Sequence, residues 1–115
     1  MSDPTSKRAI DPAAYAELQA TAGHDFAREL IGTFLEEAPT MLAELRTALA
    51  TRNAESFRRA AHSLKSNSHT FGAMALGALA RELELNGLPA DAQPLDVLDA
   101  AYARAAAALA ELRDA

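Results

Sequence analysis

Helix-stopping residues in this chain fall at a few places, and between them apolar residues recur every three or four positions. Asp11-Pro12 reads as a helix start, with Asp as the capping residue and Pro in the first turn. Gly23 is a break, Asn53 a second cap, Gly72 a turn, and Asn86-Gly87 a stop. Alanine, the strongest helix former, supplies 29 of the 115 residues, against five prolines and five glycines. Runs of β-branched residues are absent, so strands have little to form from. The chain reads as all-α.

The spacing predicts a short helix from residue 11 or 12 to about Thr21. A long helix over 24–51 follows, with an apolar stripe of Phe26, Leu30, Ile31, Phe34, Leu35, Met41, Leu42, Leu45 and Leu49. Pro39 falls inside that stripe and is expected to kink it. The third helix, 54–71, presents Phe57, Ala60, Ala61, Leu64, Ser68 and Phe71 to a core, and Gly72 ends or bends it. The fourth, 73–86, presents Leu76, Leu79, Ala80 and Leu83. A loop containing Pro89 and Pro94 leads to the last helix, 95–113, with Leu95, Leu98, Tyr102, Ala105, Leu109 and Leu112 inward. Four long helices joined by short turns fold as an antiparallel four-helix bundle, with the short extra N-terminal helix as a lid. Residues 1–10 read as a flexible polar arm and 11–115 as one domain.

Several function classes drop out. With no cysteine, thiolate metal sites and cysteine nucleophiles are excluded. A net charge of -5 argues against nucleic acid as the main partner. The N-terminus lacks the apolar core of a secretory signal, and no run approaches the ~18 apolar residues of a membrane span. The expectation is a cytoplasmic protein with no membrane partner.

The most informative stretch is AHSLKSNS, residues 61–68. With Leu64 set at 0° and 100° per residue, the core positions of this helix fall between about -40° and +60°. His62 falls at about 160°, Ser66 at about 200°, His69 at about 140°, Arg58 at about 120° and Lys65 at about 100°. His62 therefore lies on the outer face, where it is either a solvated side chain or a nucleophile presented to a partner. If helices three and four form an antiparallel hairpin about Gly72-Ala73, the residue level with His62 is Glu84, on the flank of its own helix. A carboxylate there can accept the Nδ1–H of His62, fix the tautomer and leave the lone pair on Nε2.

The segment AAHSLKSNSHTFGAMALGALARELE, residues 60–84, resembles the histidine-containing phosphotransfer (HPt) module of bacterial and plant phosphorelays. The matching elements are Ala61, His62, Leu64, Lys65, Ser66, the Phe71-Gly72-Ala73 turn and Leu83-Glu84. The segment FLEEAPTMLAELRTAL, residues 34–49, is similar to the family's second helix. The resemblance implies that His62 is the phosphoacceptor and that Lys65 neutralises phosphate charge. It implies that Ser66, where the family commonly has Gly, keeps the face open for a partner, and that Glu84 orients the histidine. His69 stands where a small residue is usual. It and Arg58 are candidates for partner contact. Leu18, Ile31, Leu35 and Phe71 are candidates for an apolar docking patch, with Phe71 favoured as core.

The sequence carries no GxxxxGK[ST], GxGxxG or other Gly-rich phosphate loop, so the chain is not expected to use ATP. Nor does it gather acids for Mg²⁺. The implied partners are the receiver domains of response regulators, which bring their own aspartate and Mg²⁺, and a hybrid histidine kinase. No cofactor is expected in this chain, and a monomer suffices. It would be a phosphocarrier and not an enzyme. A zinc site is disfavoured because His62 and His69 are about 10.5 Å apart along the helix. A hydrolase reading fails for want of a base–nucleophile pair, since Ser63 and Ser66 only neighbour His62 along the helix. The remaining alternative is a helical adaptor that is never phosphorylated.

Overall fold

The computed structural model describes residues 9–115. It contains α1 (Pro12–Ala22), α2 (His24–Ala50), α3 (Ala54–Thr70), α4 (Met74–Asn86) and α5 (Gln93–Asp114). No strand occurs among the described residues. α2 to α5 form the antiparallel bundle, each packing on its neighbours, and α1 lies across α2 and α3. None of these helices is long and apolar enough to cross a membrane.

The helix ends are made by the residues that the sequence marks. The Asp11 side chain accepts the N–H of Ala13 at 3.0 Å, and Asn53 accepts that of Ser56 at 3.0 Å. α3 closes in a Schellman motif: Gly72 N–H donates to His69 O at 3.1 Å and Ala73 N–H to Ser68 O at 2.8 Å. Gly72 has φ +77, which suits glycine, and its carbonyl accepts the Asp11 N–H at 2.7 Å. α2 closes in the same motif, with Arg52 in the left-handed position at φ 55. α5 begins at Gln93, ahead of the expected residue 95, because proline is tolerated in a first turn and Pro94 occupies one.

The core stripe of α2 differs from the expected one. Phe26 is 52% exposed, while Ala27, Ile31, Phe34, Ala38, Leu45 and Ala48 are buried. Helical geometry puts Phe26 about 140° from Ile31, outside the stripe, and small alanines take the inward positions where helices approach closely. Ile31 and Phe71 belong to the core, so neither is docking surface; Leu18 and Leu35 are half-buried against it. Of the arm expected over residues 1–10, residues 1–8 lie outside the described residues. Ala9 and Ile10 are buried, so packing begins before Asp11.

α2 runs unbroken through Pro39. Proline has no N–H to give the carbonyl four residues earlier, that of Leu35. The Tyr102 hydroxyl of α5 donates to Leu35 O at 3.4 Å instead. Burial pushes the Tyr102 phenol above its ordinary range, which keeps this donor protonated. Phe34 stacks on Phe71 at a centroid distance of 5.1 Å and meets Tyr102 edge-on at 6.2 Å, joining α2, the α3–α4 turn and α5.

A Cβ at Gly72 would lie 2.8 Å from Asp11 O and 2.9 Å from the Ala14 Cβ. Gly72→Ala adds this clash to the left-handed strain, and a loss of more than about 2 kcal/mol is expected in chemical denaturation.

Candidate functional site

The site lies on the outer seam of α3 and α4. Small residues line the inner side of that seam: Ala60, Ala61 and Ser68 on α3, Ala73 in the turn, and Gly77 and Ala80 on α4, all buried. Ser68 is a polar member of this set, and it disposes of its hydroxyl by donating to Leu64 O at 2.6 Å. With no bulky side chain between them the helices run close, and flank residues can meet across the seam.

His62 projects outward, as the wheel requires, with its side chain 55% exposed. Its Nδ1 lies 2.6 Å from Glu84 Oε2. The carboxylate is itself only 16% exposed, and its other oxygen, Oε1, lies 2.8 Å from Lys65 Nζ. Lys65 is 23% exposed. One carboxylate from α4 thus takes two groups from α3 spaced three residues apart, the spacing that puts them on adjacent turns of one side. The hairpin register brings His62 and Glu84 together as expected. The Lys65–Glu84 pair is not anticipated by the sequence reading, although Lys65 and Glu84 both fall on the flanks that face each other.

The Glu84 carboxyl is held below the ordinary glutamate range. The hydrogen bond from Lys65 is the main cause; burial opposes it, and His62 adds to the lowering. Glu84 is therefore an ionised acceptor. With Nδ1–H donating to it, the neutral imidazole carries its lone pair on Nε2, the nitrogen turned away from Glu84.

The remaining predicted positions surround this group. Arg58 lies one turn before His62 and is exposed. Ser66, with its small side chain, is exposed one turn after it. His69 is exposed but not free-standing: its ring rests on α4 where Gly77 has no side chain. A Cβ at Gly77 would come within 2.5 Å of His69 Cδ2 and Nε2. Among the described residues no three His, Asp or Glu side chains are grouped to hold a metal ion.

A helical bundle by itself names no function, so the comparisons with known proteins matter here. The family model described as the Hpt domain matches residues 29–108. The chain belongs to the Hpt domain family. Hpt domains are histidine phosphotransfer modules of phosphorelays, phosphocarriers that work with receiver domains and histidine kinases. The crystal structure of histidine-containing phosphotransfer protein B from Pseudomonas aeruginosa PAO1 is similar at a TM-score of 0.84 and 26% identity, over 98% of this chain and 97% of that one. No curated protein matches by sequence.

Two outcomes follow from the packing of this Hpt domain. Gly77→Ala meets only the far end of a flexible side chain and gains helix propensity. It should displace the His69 ring, seen as a change in its NMR shifts, and raise stability by about 0.5 kcal/mol. Glu84 has a depressed folded-state pKa, so its stabilising contribution is complete above the ordinary carboxylate range and is lost as pH falls through the folded value. Glu84→Gln should be less stable than wild type at neutral pH, and the two should converge in acid, as measured by denaturation across pH.

Proposed function

We propose that this Hpt domain accepts a phosphoryl group on Nε2 of His62 from the aspartyl-phosphate of a receiver domain and passes it to another receiver, or back. The observation that carries this reading is the pairing of His62 Nδ1 with Glu84 at 2.6 Å, on a ring whose side chain is 55% exposed. One nitrogen is occupied and the other faces outward from the middle of a helix.

In the step itself the Nε2 lone pair attacks phosphorus in line. The N–P bond forms as the P–O bond to the receiver's aspartate breaks, and the aspartate departs as a carboxylate. The proton on Nδ1 stays in place, so the phosphorylated ring is cationic, and Glu84 sits against that charge. Phosphoryl transfer runs through a loose transition state in which positioning and charge do most of the work. Here α3 supplies the positioning. Mg²⁺ and the acidic cluster come with the receiver, and the chain has no ATP site of its own. Ser66 leaves room for the receiver's active site, and Arg58 and His69 border the approach. A hybrid histidine kinase, which carries a receiver of its own, is a second class of partner. The reading places the protein in the cytoplasm, acting as a monomer, since one histidine on one bundle completes the carrier.

Incubation with a phosphorylated receiver should label wild type with acid-labile phosphate at His62, and His62→Gln should take up none. Equal labelling of the variant would mean that another residue is the acceptor.

A further inference from the structure

The carboxylate beneath His62 is divided between two partners, and the division has a chemical consequence. A carboxylate at hydrogen-bond distance acts on an imidazole in two ways. It orders the Nδ1–H, which aims Nε2 outward. It also favours the imidazolium, in which both nitrogens carry protons and Nε2 has no lone pair to attack with. The second effect grows as water is withdrawn from the carboxylate, and the Glu84 side chain is 16% exposed. An orienting acid can thus disable the nucleophile that it orients. A cation on the other oxygen offsets the charge and leaves the hydrogen bond in place. Lys65 Nζ, 2.8 Å from Oε1, is in that position.

The surrounding charged groups do not duplicate it. On α3, Arg59 pairs with Glu55 at 3.3 Å, and Arg58 is exposed on the outer face. On α4, Arg81 precedes Glu84 by three residues, yet among the described residues it makes no ion pair with it. From α2, Glu44 borders a groove with Arg59 and Ser63 on the other flank of α3. From α1, Glu17 borders a cavity beside His69 and Thr70. Among the described residues, Lys65 is the one cationic lysine or arginine paired with Glu84.

We propose that Lys65 is a positioning residue acting through Glu84: by holding Oε1, it offsets the charge of the carboxylate, so that Glu84 orients His62 without favouring a second proton on the ring. The proposal rests on the phosphocarrier reading for its purpose, though not for its test. It gives Lys65 work to do in the resting protein, before any phosphate arrives.

The test follows wild type, Lys65→Met, Lys65→Arg, Glu84→Gln and the Lys65→Met/Glu84→Gln double variant in two ways. One is an NMR titration of the His62 ring without phosphate. The other is the pH dependence of phosphoryl transfer from a phosphorylated receiver. In Lys65→Met the ring should take its second proton about half to one pH unit higher than in wild type. Transfer should then carry an added loss, at most about three- to tenfold, on the acid side of neutrality, and this added loss should fade as the pH rises. Lys65→Arg should restore both. Glu84→Gln has no charge to offset, so adding Lys65→Met to it should leave the titration unchanged. A Lys65→Met ring that titrates with wild type overturns the proposal, as does a shift that persists at full size in the Glu84→Gln background. A wild-type protein that takes no phosphate would sink the carrier reading, while the titration still decides the role of Lys65.

Discussion

The register of the α3–α4 hairpin is the constraint on which the site depends. Gly72 sets it, because the left-handed turn closes α3 and starts α4 within three residues. The same glycine accepts the Asp11 N–H and leaves space for α1, so the lid and the hairpin share one anchor. Heights along the two helices are then fixed relative to each other. A slip of one residue would rotate Glu84 by about 100° and take its carboxylate away from His62. The small residues along the seam do the complementary task of bringing the helix axes close enough for flank side chains to touch.

Exposure across the site is graded in a way that suits a carrier. His62 is the most open of the three at 55%, Lys65 is at 23%, and Glu84 is the most covered at 16%. On the proposed reading, the reacting group is open to a partner while Lys65 and Glu84 are more sheltered from water and from salt screening. A surface ion pair usually contributes little to stability. On the proposed reading, this one matters more for the tautomer and charge of its neighbour than for holding the fold together.

Much of this was legible in the sequence, for reasons that can be named. Asp11, Asn53 and Gly72 act locally, through caps and backbone conformation, so the helix boundaries followed within a residue or two. The outward direction of His62 needed only the helical repeat, and its meeting with Glu84 needed only equal distances from one turn. Phe26 shows where pattern reading fails. Large apolar residues attract attention, but Ala27 and Ala38 hold the buried positions because close helices favour small ones. The Tyr102–Leu35 contact was equally hidden, since it depends on which helix faces the carbonyl that Pro39 leaves free.

By itself, then, the sequence determined the helices, their order, the bundle and the face that carries His62, because each follows from local conformational preference and periodicity. Only the tertiary structure decided how the flanks are shared. That Glu84 divides its two oxygens between His62 and Lys65, and that His69 lies on Gly77, depend on distances of a few ångströms between helices. Those distances are set by packing across the seam, and no repeat along a single helix encodes them.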